Sequence, residues 1–260
     1  MLKLLLGRSA TGKTTALLRS IAASGGERPQ VLLVPEQASH EMERALCAAA
    51  GNTVSRYAEV LSFTRLGSRV MAASGGLAAR TLDAGGRVLL MYAAMQSVSE
   101  QLKVFRRPGR KSELLTGLIA TVDELKSCRI TPAQLWTAAE ESGGEGDKLR
   151  DLSLIFGAYE AMTERQGADP RDRLERLAQG LAQSRWAAGR DFYIDGFTDF
   201  TAQEEQVLRA LLSQGESVTV ALTCDGLSQD SEVFDSARRT ARRLMARART
   251  QGGGGETQVL

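Results

Sequence analysis

Eight residues near the amino terminus have the types and spacing to hold a triphosphate: Gly7-Arg8-Ser9-Ala10-Thr11-Gly12-Lys13-Thr14, a complete GxxxxGK[ST] pattern. Glycine lets such a run fold so that successive backbone N–H groups point inward at a β-phosphate. Lys13 would reach the β/γ oxygens, and the Thr14 hydroxyl would ligate Mg²⁺. The helix that follows aims its partial positive charge at the same anion. All eight residues are candidate ATP contacts. A site of this kind needs a partner strand ending in an acid that holds the metal, usually through water. Asp195, closing Phe192-Tyr193-Ile194, is the candidate. The next residue, Gly196, has no side chain to orient water or accept a proton, and Glu204 and Glu205 lie on the following helix. The expectation is ATP and Mg²⁺ bound with little or no hydrolysis, and no residue is assigned as catalytic.

Elements of matching character surround these residues. Leu2 to Leu6 reads as a buried strand, Lys13 to Ala23 as a helix closed by Ser24-Gly25-Gly26, and Val31 to Val34 as a second strand stopped by Pro35. Ser39 to Ala50 predicts another helix ending at Gly51. Strand, helix, strand, helix with short joins is the pattern of a parallel sheet covered by helices. From about Ser62 to Ser184 apolar residues recur at helical spacing, as in Leu114, Leu115, Leu118, Ile119, Val122 and Leu125, and no strand is expected. Strands return at Phe192–Asp195 and Val218–Leu222, around a helix from Ala202 to Leu212. Ala237 to Arg249 is helical, and Thr257 to Leu260 could begin a further strand, so the chain reads as a fragment of a longer protein. The fold expected is α/β, interrupted by an all-helical insertion, with domains at 1–61, 62–187 and 188–260.

Composition narrows the classes. With 33 Lys+Arg against 31 Asp+Glu the net charge is +2, so no global field recruits nucleic acid, and any DNA contact must be local. The apolar start stops at Gly7, short of the about 7–15 residues of a secretory core, and no later run nears the roughly 18 of a membrane span. A cytoplasmic protein without a membrane partner is expected. Cys47, Cys128 and Cys224 form no CxxC pair and read as buried free thiols.

Four ordered strings make the sequence familiar: the phosphate loop, Leu33-Val34-Pro35-Glu36-Gln37, Val60-Leu61-Ser62-Phe63-Thr64-Arg65-Leu66, and Ile194-Asp195-Gly196-Phe197-Thr198-Asp199-Phe200-Thr201. Together they resemble superfamily 1 helicases, and more closely the AddB (RexB) family, one of the two components of bacterial ATP-dependent helicase-nucleases. The resemblance implies a RecA-like ATP-binding domain carrying the helical insertion. It also implies an AddA-like helicase-nuclease partner and a role in processing double-strand DNA ends for recombination. Active helicases have a glutamate after the metal-binding aspartate, in a DExQD pattern; Asp195-Gly196-Phe197-Thr198-Asp199 keeps both aspartates and loses Glu and Gln, as in AddB-like subunits regarded as non-motor. Pro35-Glu36-Gln37-Ala38-Ser39 replaces a TFTNKA-like DNA-contacting segment, whereas Ser62, Phe63 and Thr64 sit where another DNA-contacting motif falls. Asp225 ends a strand where a GDxxQ-type motif would lie, with Gln229 one place late. Full-length relatives carry a nuclease domain and a 4Fe-4S cluster on four cysteines; none of the three cysteines here is assigned to it.

Weaker signals remain. Arg106, Arg107, Arg110 and Lys111 form a basic loop that could touch phosphates, or simply be solvated. Arg238, Arg239, Arg242, Arg243, Arg247 and Arg249 share one helical stretch, where like charges four apart repel and an external anion would relieve them. His40 lacks any metal or relay arrangement, and Trp136 and Trp186 read as packing anchors. Two competing functions stay open: a DNA-stimulated ATPase motor, and a nucleotide kinase with a helical lid.

Overall fold

The apolar run at the amino terminus is a strand buried on both faces: Leu2, Leu4 and Leu6 join one hydrophobic cluster and Leu5 the other. Parallel sheets covered by helices demand such near-continuous apolar strands. The computed structural model describes residues 1–75, 81–106, 112–143, 146–228, 232–250 and 254–260. In chain order the elements are β1 (Leu2–Gly7), α1 (Lys13–Ala23), β2 (Gln30–Leu33), α2 (Ser39–Ala50), β3 (Ala58–Leu61), α3 (Phe63–Ser74), α4 (Ala84–Val98) and α5 (Ser112–Ser127). They continue with α6 (Pro132–Glu141), α7 (Asp147–Gln166), α8 (Arg173–Gln183), β4 (Asp191–Ile194), α9 (Ala202–Gln214), β5 (Ser217–Thr223), α10 (Asp235–Thr250) and β6 (Gly255–Val259). Two compact units result, one of Met1–Gly75 with Leu174–Leu260, the other of Gly76–Arg173.

In the first unit all six strands are parallel, in the order β3-β2-β4-β5-β1-β6. Leu17, Ile21 and Leu46 of α1 and α2 cover one face, packing with Leu32, Tyr193 and Ala221 of the sheet. Leu66, Val70, Leu181, Leu208 and Leu244, from α3, α8, α9 and α10, cover the other. Each fully buried leucine contributes about 1.5–3 kcal/mol relative to exposure. The α/β class with a parallel sheet is as expected; the structure adds one strand and extends another that the sequence only suggested. Ala58-Glu59-Val60-Leu61 is a strand, paired with β2, although its apolar run is only two residues long. Gly255–Val259 pairs along β1, so the closing residues form the edge strand β6.

The unit limits also differ from the sequence boundaries at 61/62 and 187/188. Helices α3 and α8 group with the sheet because Phe63, Leu66, Val70, Leu177, Ala178 and Leu181 bury into the sheet's own core. Amphipathic periodicity shows which face of a helix is buried, and not against what.

The second unit is helical, with α4, α5, α6 and α7 around Met91, Met95, Leu118, Val122, Phe156 and Tyr159. Helix α6 starts on a capping box, Thr131 with Gln134, and Pro132 follows the cap. Asp151 is fully buried on α7 and accepts the backbone N–H groups of Lys103 (3.0 Å), Val104 (2.7 Å) and Phe105 (2.9 Å), which lie outside any helix. A second buried carboxylate, Asp169, accepts from Tyr159 (3.0 Å) and lies 3.3 Å from Arg87 and 3.4 Å from Lys126. Burial alone would raise its pKa, but the Arg171 amide, Lys126 and Arg87 outweigh burial and hold it below the ordinary value. Trp136 departs from expectation. Only half-buried, it lies beneath the Arg150 guanidinium at 4.5 Å and donates to Glu140 at 3.0 Å.

Candidate functional site

Strand β1 delivers Gly7 to the carboxyl edge of the sheet, where Cys224 N–H donates to its carbonyl at 3.1 Å. A side chain at position 7 would start 2.3 Å from Thr11 Oγ1 and 3.1 Å from the Leu260 carbonyl, so it would have to push Thr11 out of the loop. Ala10 (φ 62°) and Gly12 (φ 90°) take left-handed conformations inside the turn, which curls the loop back on itself. Helix α1 then starts at Lys13 with no acidic residue of its own in the first turn. The Lys13 ammonium donates to the carbonyls of Gly7 (2.7 Å) and Arg8 (2.6 Å) and is 8% exposed. Burial lowers its pKa, with the Asp195 carboxylate acting in the opposite sense. It therefore sits inside the loop's own curve, on the side from which a phosphate would be gripped.

Asp195 lies just past β4, and β5 separates β4 from β1. The fold nevertheless closes the gap: Thr14 Oγ1 donates to Asp195 Oδ2 at 2.5 Å, across 181 positions of sequence. The other carboxylate oxygen accepts the Gly196 N–H at 2.9 Å. A hydroxyl and a carboxylate in contact are two hard oxygen donors of the kind Mg²⁺ takes alongside phosphate and water. With Lys13 and the amino end of α1, they fit a magnesium triphosphate. Among the described residues no cluster of three His, Cys, Asp or Glu offers a metal cage made of protein alone. Gly196 has φ 81°, and a Cβ there would lie 3.1 Å from Pro35 Cδ. The position after the aspartate is thus shaped for glycine by two independent constraints.

The remaining sequence candidates occupy different places. Ser62 is 2% exposed and caps α3, accepting the Arg65 N–H at 3.3 Å while its hydroxyl donates to Glu36. Phe63 is buried, its ring edge-on to Phe197 at 5.5 Å, and of these three residues only Thr64 is exposed. Arg106 is exposed; Arg107, Arg110 and Lys111 lie outside the described residues, as does Gln229. Asp199, the second aspartate of its motif, faces α10. It accepts from Ser236 (2.5 Å), Thr240 (2.6 Å) and Arg243 (3.1 Å). Asp225 is buried against Arg238 at 3.2 Å.

Several readings change. Glu204 belongs to the capping box of α9 with Thr201. Glu205 accepts from Arg243 and Arg247, each at 2.7 Å, so internal carboxylates rather than an outside anion answer much of the α10 charge. Of the thiols only Cys224 is buried, Cys47 being partly exposed and Cys128 exposed. Sequence reasoning missed the link through Glu36, Ser62, Phe63 and Phe197, which ties together the loops after β2, β3 and β4. The signal was the co-occurrence of three short strings, which says nothing about contact. Among the described residues no helix is long and apolar enough to cross a membrane.

The sequence profile described as "ADDB, N-terminal" matches residues 4–260. A Moorella thermoacetica protein, named as the B component of an ATP-dependent helicase/deoxyribonuclease, is 36% identical over 94% of this chain and 22% of its own length. One of the same name from a Thermoanaerobacter species is 35% identical over 94% of this chain and 22% of its own. Another, from Caldanaerobacter subterraneus, is 33% identical over 96% and 22%. The chain thus spans about a fifth of the length of the curated relatives it matches.

Proposed function

The chain belongs to the AddB N-terminal family, and from that premise we propose that it is the ATP-binding, helicase-like and non-motor region of an AddB-like subunit. In this reading the whole protein acts in the cytoplasm with an AddA-like helicase-nuclease subunit, on DNA, processing double-strand ends for recombinational repair. The names of its relatives, each one component of a helicase/deoxyribonuclease, support a partner. The observation that carries the nucleotide reading is the 2.5 Å bond from Thr14 to Asp195, with Lys13 inside the loop. Magnesium, when bound, neutralises phosphate charge. Thr14 and Asp195 would hold it, Lys13 would hold the β/γ oxygens, and the amides from Gly7 to Gly12 would surround the β-phosphate.

Gly196 supports binding without turnover. The residue after Asp195 is glycine and offers no carboxylate to polarise water, and a side chain at this position would be strained and pressed against Pro35. ATP is then a stabilising ligand. At about 100 times Kd, Mg-ATP adds about 2.7 kcal/mol to the stability of the full chain. The expected result is a rise in Tm that Lys13→Ala abolishes, with no steady-state ATP hydrolysis with or without single-stranded DNA. A shift that survives Lys13→Ala removes the binding reading. Turnover of about 1 per second or more that vanishes in that variant replaces it with a motor.

A further inference from the structure

At the opposite end of the parallel strands, where β2, β3 and β4 begin, lies a cavity of about 410 Å³ that no part of the nucleotide reading uses. Its walls include Arg56, Arg69, Arg190, Tyr57, Trp186 and Glu59. The volume falls within the about 300–1,000 Å³ of small-molecule sites. Three guanidinium groups face one carboxylate, so the lining carries an excess of two positive charges. The pairing inside it is loose. Arg69 meets Glu59 at 3.0 Å with both side chains about half exposed, a geometry that contributes little stability and exchanges easily. Arg56 is exposed and makes no ion pair among the described residues. Arg190 is fixed: its guanidinium lies 4.4 Å over the Trp186 ring and donates to the Trp186 carbonyl. A guanidinium stacked on one ring can take a second flat group on its other face, and Arg190, which lines the cavity, has further N–H donors for an oxyanion.

We propose that this cavity binds a phosphate ester carried on a planar base, the chemistry of a nucleoside monophosphate unit, at a site separate from the phosphate loop. Arg56 and Arg69 take the phosphate oxygens, and Arg190, held flat by Trp186, stacks on the base, as guanidinium planes do in nucleic-acid recognition. The phosphate loop leaves the carboxyl end of β1, whereas this cavity opens at the amino ends of β2, β3 and β4, so the two sites occupy opposite ends of the parallel strands. The unit is supplied either by a free mononucleotide or by one nucleotide of a single strand.

The test uses the full chain carrying Lys13→Ala, which disables the phosphate loop, without magnesium and at low salt. Adenosine 5′-monophosphate and a short oligothymidylate are titrated separately by calorimetry. Saturable binding at about 1 mM or tighter is expected for at least one probe, weakened about tenfold or more by Arg56→Glu and by Arg190→Ala. The mononucleotide alone binding assigns a free ligand; the oligonucleotide alone binding assigns a strand. Arg56 is exposed and outside every ion pair of the described residues, so Arg56→Glu reports on the site even if Arg190→Ala disturbs folding. The proposal is overturned if neither probe saturates by about 10 mM, or if Arg56→Glu binds as the parent does. Because Lys13 is already removed, neither result depends on whether the loop binds ATP.

Discussion

At Gly196 the backbone φ of 81° and the 3.1 Å approach of Pro35 to a would-be Cβ act in the same direction. A side chain there meets left-handed strain of about 1–2 kcal/mol, and contact with a proline ring adds to it. A glutamate placed there would therefore be strained and held off the position it takes in an active helicase. Gly196→Glu is expected to lose about 1–3 kcal/mol of stability in urea unfolding and to gain no ATP hydrolysis. A variant as stable as the parent that turns ATP over would show that the glycine is a chance replacement and the surrounding loop already competent. Lys13 makes the complementary argument. Its ammonium is satisfied by the Gly7 and Arg8 carbonyls, so the loop is folded around its own cation before any phosphate arrives.

Helix α10 shows how charge at the scale of an element can mislead when read along one stretch of sequence. Its six arginines suggest an unmet need for an anion; Asp199, Glu205 and Asp225 supply three carboxylates from elsewhere in the fold. Glu205 holds two of the arginines and is 8% exposed, so Glu205→Ala leaves Arg243 and Arg247 without their nearest carboxylate. Both arginines keep some contact with water, which limits the loss to about 1–2 kcal/mol. Urea melts that coincide for variant and parent would mean these two pairs add nothing and α10 is held by its apolar face and its contacts to Asp199 and Asp225. The same logic separates what was legible from what was not. Helices α1 and α2 could be read to their ends because Gly25, Gly26 and Gly51 stop them locally. Strand β3 could not, since Glu59 interrupts its apolar run and the pairing that makes it a strand comes from β2. Asp195 was legible as a strand-end acid serving the same metal as Thr14, whereas the strand order that places β5 between β4 and β1 was not. Domain limits were the least legible, because α3 and α8 fall in the same helical stretch of sequence as α4 to α7, and the core each helix enters is a tertiary fact.

For the molecule as a whole, acid and nucleotide should act differently on the two units. Each unit holds a carboxylate whose pKa lies below its ordinary value of 3.8, Asp199 in the first and Asp169 in the second. A depressed folded pKa contributes stability that is fully present above the unfolded value and lost as pH falls through the folded one. Both units should therefore weaken below about pH 4, with Asp169→Asn flattening that loss in the second; a melting profile level from about pH 6 to pH 2 would contradict it. Nucleotide, by contrast, acts on one unit if it binds as proposed. Lys13, Thr14 and Asp195 all belong to the first, while the second has its own core around Phe156 and Tyr159 and the buried Asp169 pairs. A ligand that touches only one unit slows exchange only of amides whose opening breaks its site. With Mg-ATP at about 100 times Kd, the most protected amides of β1, β4 and β5 should exchange about 100-fold more slowly, and those of α5 and α7 at their former rate. Equal slowing in both sets would mean that the helical unit opens only when the sheet does, so that the insertion shares the sheet's stability rather than having its own.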